Sequence, residues 1–254
     1  MHPVLFSIPK FSFFGKMTGP LDIYSFGVIL ALSFMIALII AVKRKNVAGV
    51  SSEEVMDIGL IIMFSGIIGA RLGWVLINIK SIENFWQIFD FRNGGLSLHG
   101  SLIGGLIALW IYSNIKKKNI GKILDMVTPS VIIGIAIGRI GCFMNGCCYG
   151  VESSIFSASS VFHGHHPAQL YEMFLDFILF IFVLFYEKRT KFSGELFITF
   201  IMGYSVVRFI VEIFRFDRFH IGILNLGQFV SVILIVISAF LIISLRKKRD
   251  EHKG

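Results

Sequence analysis

The sequence predicts an all-α, polytopic integral membrane protein with about seven transmembrane helices. Of its 254 residues, 55% are hydrophobic and only 16% are charged, and 27 are Phe. An average soluble domain has roughly 25% charged residues. Mean hydropathy is +0.79. These values argue against a disordered chain and against a soluble enzyme, because a soluble surface needs interspersed charge. The apolar runs are long and do not alternate, which favours helices over a membrane β-barrel.

Seven segments are apolar over the roughly 20 residues that a helix needs to cross the hydrocarbon core. They lie near residues 21–42, 57–79, 96–115, 123–145, 168–186, 194–214 and 223–245. We expect one transmembrane domain over residues 1–254, with a small extracytoplasmic segment around residues 146–167. No internal repeat is visible, which gives little support to an inverted-repeat transporter.

Basic residues predict the orientation. Fifteen of the 24 Lys and Arg residues cluster at four junctions, after the first, third, fifth and seventh segments, whereas six lie on the other side. Cytoplasmic loops carry the excess of Lys and Arg. The N-terminus is therefore predicted outside and the C-terminus in the cytoplasm. The net charge of +8 is then explained by the membrane topology and does not indicate that the protein binds nucleic acid.

Residues 1–20 lack the basic start, apolar core and small-residue cleavage site of a secretory signal, so we expect no cleavable signal peptide. Phe6, Phe11, Phe13 and Phe14 instead suggest a segment lying on the outer membrane face.

Three arginines fall inside apolar segments: Arg71, Arg139 and Arg208. A charge within the bilayer is costly and persists when it is paired or functional. The predicted topology places all three toward the outer leaflet, where Tyr24, His99 and Tyr204 also lie. Arginine binds phosphate through a planar fork of donors, so the residues predict a seat for a lipid phosphate.

Structural pairing is the alternative for each of these arginines. Glu212 follows Arg208 by four residues, and Glu172 and Asp176 could pair with Arg71 or Arg139. Gly104 and Gly105 are expected to let helices approach closely. Gly94 and Gly95 precede that helix, where their backbone amides could face an anion.

Four motifs occur in order along the chain: GGLSLHGSLIGG (94–105), GRIGCFMNGCCYG (138–150), HPAQLYE (166–172) and YSVVRFIVEIFR (204–215). Together with Tyr24-Ser25-Phe26-Gly27, they resemble the prolipoprotein diacylglyceryl transferases of bacterial inner membranes. The resemblance covers roughly residues 20–245. Several separated motifs in one order are far more specific than any one of them alone.

The resemblance implies seven spans, an outside N-terminus and an active site toward the extracytoplasmic leaflet of the bacterial plasma membrane. It implies transfer of the diacylglyceryl group of phosphatidylglycerol to the lipobox cysteine of a prolipoprotein, with release of glycerol phosphate. No metal or organic cofactor is implied. The partners are phosphatidylglycerol, the lipobox segment and the bilayer.

The same resemblance assigns residue roles. Arg139 and Arg208 match the two arginines that bind and polarise the lipid phosphate, and Tyr24, His99 and Tyr204 match other functional positions. His99 could serve as the base that the thiol needs, or could make a structural hydrogen bond between helices. The substrate-binding surface is expected to include Arg71, Gly94, Gly95, Asn145, Gly150 and Glu212.

Two positions depart from the family pattern. Cys142 stands where the family has Asn, and Cys147 stands where it has Glu. These departures keep a second hypothesis open, a divergent member that binds phospholipid without transferring it or modifies a different acceptor. A third hypothesis is an anion transporter lined by arginines, which the apolar cytoplasmic halves of the segments disfavour.

The three cysteines, Cys142, Cys147 and Cys148, lie in one seven-residue window. They could pack as small apolar side chains. A disulfide between Cys142 and Cys147 or Cys148 is favoured by the oxidising side of the membrane. A metal site with His163, His165 or His166 is the least favoured alternative, because no second cysteine cluster completes four ligands.

Overall fold

A computed structural model describes the chain apart from residues 1–3, 9–10, 14–15, 19–20, 80–83, 85–86, 89–96, 160, 216–219, 222–223 and 252–254. Eight α-helices run along the described residues: α1 Ser25–Lys43, α2 Lys45–Ala48, α3 Ser52–Ile77, α4 Leu98–Ile115, α5 Ile120–Met144, α6 Ala168–Tyr186, α7 Glu195–Glu212 and α8 Leu226–Glu251. A long helix therefore occurs in each of the seven apolar segments that the sequence predicts.

Five of these helices are long and apolar enough to cross a membrane: α1, α3, α5, α6 and α8. Helix α4 provides a shorter apolar stretch, Gly100–Ile115. Helix α7 is apolar apart from three charged residues, Glu195, Arg208 and Glu212. The chain is accordingly a multi-pass, mainly helical membrane protein. Seven crossings and their orientation stay predictions.

Short strands form at the N-terminus and before α8, and the all-α prediction missed them. Strand β1 (Val4–Ile8) pairs with β4 (Leu21–Tyr24), and β2 (Phe11–Phe13) pairs with β3 (Lys16–Thr18), both antiparallel. Near the other end, β5 (His220–Ile221) pairs with β6 (Leu224–Asn225). Each is a two-stranded ribbon, so the fold remains helical with small β additions.

The chain divides into two compact units. Unit 1 comprises residues 1–40 and 127–254, and unit 2 comprises residues 41–126. The single domain expected from the sequence stays a prediction.

In unit 2, α3 and α4 pack with their backbones in direct contact. A Cβ on Gly69 would lie 2.4 Å from the carbonyl oxygen of Gly100, and a Cβ on Gly104 would lie 2.6 Å from that of Ser65. Small residues of this kind let helices approach closely where apolar lipid gives helix association no hydrophobic drive. The packing role expected for Gly104 is thus confirmed, whereas a Cβ on Gly105 would only touch Ile62 at 3.8 Å.

In unit 1, α5, α6 and α7 share an apolar core that includes Ile132, Leu179, Val183, Leu196 and Val211. Where α6 ends and α7 begins, a set of polar contacts surrounds the fully buried Glu195. Its carboxylate accepts from the Tyr186 hydroxyl at 3.0 Å, from the Lys191 backbone N–H at 2.6 Å and from Arg246 of α8. We call this set, Tyr186, Glu195 and Arg246, the Glu195 lock. It joins the last turns of α8 to the start of α7.

We expect Gly69→Ala to weaken unit 2, because the new methyl group meets backbone that cannot move aside. Overpacking of this kind costs about 1–3 kcal/mol. Thermal unfolding of the purified protein in detergent measures it. Gly105→Ala is the matched control and should be neutral or slightly stabilising, since alanine favours helix. Equal melting temperatures for the two variants would contradict the close α3–α4 packing.

Candidate active site

Five polar side chains from α5, α6 and α7 meet at the other end of unit 1: Arg139, Glu172, Tyr204, Arg208 and Glu212. Arg139 lies in the last turns of α5, Glu172 in the second turn of α6, and the other three in the last turns of α7. We call this set the arginine cluster. It lies at the end where α5 stops, α6 starts and α7 stops, opposite the Glu195 lock.

Glu172 is the centre of the arginine cluster. Its Oε1 accepts from Arg139 Nη2 at 2.5 Å and from the Tyr204 hydroxyl at 3.1 Å, and its Oε2 accepts from Arg208 Nη1 at 3.1 Å. The side chain is 1% exposed. A buried carboxylate is tolerated when it is paired and hydrogen-bonded. One carboxylate therefore orients both arginines at once.

Glu212 is the second carboxylate that pairs with Arg208. Its Oε1 accepts from Arg208 Nη2, one helical turn earlier on α7. Asn225 Nδ2, at the end of β6, donates to the Glu212 backbone carbonyl at 3.3 Å. A Cβ on Gly227 would lie 2.8 Å from the Glu212 carboxyl carbon, so this place in α8 fits a glycine. The start of α8 is thus shaped around the Arg208–Glu212 pair.

The cluster retains donors for an anion. Each guanidinium has five N–H donors. Within the described residues, the carboxylates accept from one terminal nitrogen of Arg139 and from both terminal nitrogens of Arg208. The two arginine side chains are 17% and 24% exposed, whereas both carboxylates are buried. The partly exposed guanidiniums of both arginines are therefore the part of the cluster that an anion could reach.

Asp176 follows Glu172 by one turn of α6 and is fully buried. Within the described part of the chain, neither of its carboxyl oxygens has a hydrogen-bond partner. The pairing of Asp176 with Arg139, left open by the sequence, therefore does not occur. The sequence also allowed Glu172 to pair with Arg139, and this ion pair is present in the structure.

Arg71 belongs to unit 2 and makes different contacts. Its Nε donates to the Ile88 carbonyl at 2.9 Å, its Nη2 donates to the Gln87 carbonyl, and its guanidinium lies 4.7 Å from the centre of the Trp74 ring. It is 5% exposed. Main-chain carbonyls of the segment after α3 thus account for its burial, and its role toward substrate stays a prediction.

The other predicted site residues divide into two groups. His99 lies in the first turn of α4 in unit 2, but its side chain lies outside the described residues, as do Gly94 and Gly95. Tyr24 ends β4 and is 55% exposed, and none of its described contacts is with the arginine cluster. The structure therefore brings together Arg139, Arg208, Tyr204 and Glu212 of the predicted set.

Gly150 lies where neighbouring backbone leaves no room for a side chain. A Cβ there would lie 2.1 Å from the Phe214 carbonyl oxygen, and its N–H donates to the His166 carbonyl at 2.8 Å. The segment after α5 is therefore laid directly on the end of α7. Asn145 is exposed just after α5. Gln169 donates to the Cys147 carbonyl at 2.5 Å and fixes the same segment to the start of α6.

The sequence of this chain matches a known family over most of its length. A family model described as prolipoprotein diacylglyceryl transferase matches residues 13–244. The chain belongs to this family.

Relatives named phosphatidylglycerol–prolipoprotein diacylglyceryl transferase are similar over nearly the whole length. The Clostridium tetani protein is 33% identical over 94% of this chain and 96% of its own length. The Clostridioides difficile protein is 35% identical over 91% of this chain and 94% of its own. A Clostridium botulinum protein is 32% identical over 99% of this chain and 100% of its own.

All three cysteines of this family member are free thiols, so the disulfide that the sequence favoured does not form in the structure. Their sulfur atoms nevertheless lie within 4.8 Å of one another. Burial raises the pKa of the Cys147 thiol above its ordinary value. A neutral thiol is a poor nucleophile, which argues against a catalytic thiol at Cys147.

Sequence reasoning missed Glu172 as the centre of the site and missed Asn225 and Gly227 altogether. An acidic residue five positions into an apolar helix is itself a sign of function. Glu172 also lies in one of the motifs that carry the family resemblance. Asn225 and Gly227 had no such sign, because their role depends on where α8 meets α7.

We expect Glu172→Gln to destabilise the protein strongly, because two partly buried guanidiniums lose the buried counter-ion that they share. Removing one partner from a buried ion pair costs about 3–5 kcal/mol. Thermal unfolding in detergent measures the loss. Glu152→Gln, at an exposed carboxylate of the same unit, is the matched control and should change stability little. A Glu172→Gln variant as stable as the control would refute the central position of Glu172.

Proposed function

We propose that this protein transfers the diacylglyceryl group of phosphatidylglycerol to the lipobox cysteine of bacterial prolipoproteins. Family membership supports the reaction, and the names of the relatives give both substrates. The observation that carries the proposal in this chain is the pair of partly buried arginines oriented by one buried carboxylate, Arg139–Glu172–Arg208.

The arginine cluster suits the anionic leaving group. In the reaction a carbon–sulfur bond forms and the bond between the glyceryl carbon and a phosphate oxygen breaks. The electron pair of that bond passes to the phosphate oxygen, which leaves as glycerol phosphate. Preorganised cations at the point where charge develops are often the largest contribution to catalysis. Arg139 and Arg208 would supply that charge, and Glu172 and Glu212 would hold their planes fixed.

The acceptor must lose a proton as the carbon–sulfur bond forms. An ordinary cysteine has a pKa near 8.5, so a neighbouring base raises the thiolate fraction. We propose His99 for this role, because an unperturbed histidine titrates near pH 6.5 and the resemblance to the family supports His99 as a functional position. Tyr24, Gly94, Gly95, Asn145 and Arg71 are proposed to line the surrounding substrate surface, on the same resemblance.

We also propose seven spans, with the N-terminus outside and the arginine cluster in the extracytoplasmic leaflet. Within unit 1, basic residues concentrate beyond the ends of α6 and α8, beside the Glu195 lock. The positive-inside rule assigns that end to the cytoplasm and the arginine cluster to the outer side. A lipid would then enter sideways, and a prolipoprotein held by its signal helix would present its cysteine at the same depth.

The second candidate function is transfer of the same lipid group to a different acceptor. Cys142 and Cys147 replace the Asn and Glu of the family pattern, and Cys142 follows Arg139 by three residues in α5. This departure favours a branch of the family with the same lipid chemistry and altered acceptor contacts.

We expect Arg139→Lys and Arg208→Lys each to lower transfer by about 10²–10³-fold, because lysine cannot donate the planar fork. The assay mixes purified protein, phosphatidylglycerol and a lipobox peptide, and it measures the mass added to the peptide cysteine. Arg246→Lys is the matched control, since Arg246 also pairs with a buried glutamate but lies at the opposite end of unit 1. Full activity in either cluster variant would overturn the phosphate seat.

His99→Gln should lower kcat more than it raises KM, because glutamine keeps a polar side chain but cannot accept the thiol proton. The pH profile of kcat/KM in the same assay tests the role. Wild type should lose activity as His99 becomes protonated at low pH, and the variant should lack that limb. An unchanged profile would exclude His99 as the base.

A further inference from the structure

The three cysteine thiols form a compact group next to the arginine cluster. Cys142 lies in the last turn of α5, three residues after Arg139, and Cys147 and Cys148 come directly after the turn that follows the helix. All three sulfur atoms lie within 4.8 Å of one another, and the sulfur atoms of Cys147 and Cys148 are 3.2 Å apart. We call this group the three-thiol site.

Backbone hydrogen bonds hold the three-thiol site in place. The N–H of Asn145 donates to the Gly141 carbonyl at 2.9 Å, and that of Cys147 donates to the Cys142 carbonyl at 3.2 Å. Gly146 turns the chain with a φ of +72°. The side chain of Gln169 then fixes the Cys147 carbonyl from α6. The chain is thus folded back so that the second and third cysteines return to the first.

Cys148 adopts a backbone conformation that side chains disfavour. Its φ is +69°, in the left-handed region. This conformation costs roughly 1–2 kcal/mol for a residue with a Cβ. Strained backbone of this kind is concentrated at functional sites, where neighbouring structure enforces it. At Cys148 it occurs where the third sulfur atom meets the other two.

The spacing of the sulfur atoms matches a bound metal ion. A zinc–sulfur bond is about 2.3 Å, so three sulfur atoms around one ion lie about 4 Å from each other. The present separations need only small side-chain rotations to reach that value. A disulfide between the neighbouring Cys147 and Cys148 fits less well, because consecutive Cα atoms are about 3.8 Å apart and disulfides prefer roughly 4.4–6.8 Å.

The donor set determines which ions could bind. Thiolates are soft ligands that select Cu(I) and Zn(II), whereas Mg²⁺ and Ca²⁺ take oxygen ligands. Within the described residues, the group contains three sulfur ligands and no histidine or carboxylate. Cu(I) accepts three sulfur ligands in a plane, whereas zinc needs a fourth ligand to complete a tetrahedron. Cys148 is exposed, which gives an ion a path from solvent.

We propose that Cys142, Cys147 and Cys148 form a binding site for one thiophilic metal ion, with Cu(I) as the best-matched occupant. The site is held by the turn after α5 and lies one helical turn from Arg139. The proposal concerns binding and does not depend on the transferase reaction, so either can fail without the other.

Anaerobic titration of the reduced, detergent-purified protein with Cu(I) tests it. Copper–thiolate charge-transfer absorbance and competition with a Cu(I) chelator report occupancy, and one ion per chain is expected. Cys142→Ser, Cys147→Ser and Cys148→Ser should each weaken binding by more than the roughly 10–100-fold that even an outer partner of a metal site costs. Melting curves of the ion-free variants, repeated with alanine replacements, separate lost ligands from lost folding.

The matched control is the double variant His163→Gln/His165→Gln. Both rings pack against Tyr149, beside the cysteines, but neither is part of the three-thiol site. Unchanged Cu(I) binding in this variant is the expected result. Loss of binding in it would overturn the three-thiol assignment, as would absent binding in wild type or tight binding that survives any single cysteine replacement. A parallel titration with Zn(II) should give weaker binding, and tighter zinc binding would overturn the preference for Cu(I).

Discussion

The bonds that Glu172 makes to two arginines are the constraint on which unit 1 depends. Three helices contribute charged groups to one buried point, and none of those groups can face lipid or an apolar core alone. The carboxylate satisfies Arg139 of α5 and Arg208 of α7 simultaneously, so it fixes the relative register of α5, α6 and α7. Apolar packing alone would allow these helices to slide along one another, whereas a carboxylate shared by two arginines fixes their relative position.

The same interaction limits what the cluster can bind. Two arginines and two buried carboxylates leave the cluster close to neutral, so it is not a strong general attractor of anions. Its preference rests on geometry: two partly exposed guanidiniums whose orientations are fixed by Glu172 and Glu212. A phosphate ester that fits both forks gains charge-assisted bonds at once. A site of this kind discriminates by shape and position more than by charge.

How far the sequence predicts the structure depends on the kind of interaction. The helices could be predicted to within a few residues, because spanning length and hydropathy are local properties of a segment. Arg139, Arg208, Tyr204 and Glu212 could be predicted as a set, since charges inside apolar segments are rare. The choice of partner could not: Glu172 fitted Arg71 as well as Arg139 by sequence alone. The N-terminal strands were missed because a Phe-rich polar segment has no single period.

Helix α7 also has a consequence for how the protein is made. It carries Glu195 at one end and Arg208 with Glu212 at the other, and later residues contact both ends: Arg246 of α8 binds Glu195, while Asn225 of β6 and Gly227 of α8 enclose Glu212. The ribosome delivers α7 to the membrane before α8 exists. Until β6 and α8 follow, Glu195 lacks Arg246 and Glu212 lacks Asn225 and Gly227 as neighbours. The polar contacts at both ends of α7 are therefore completed only after β6 and α8 have been synthesised.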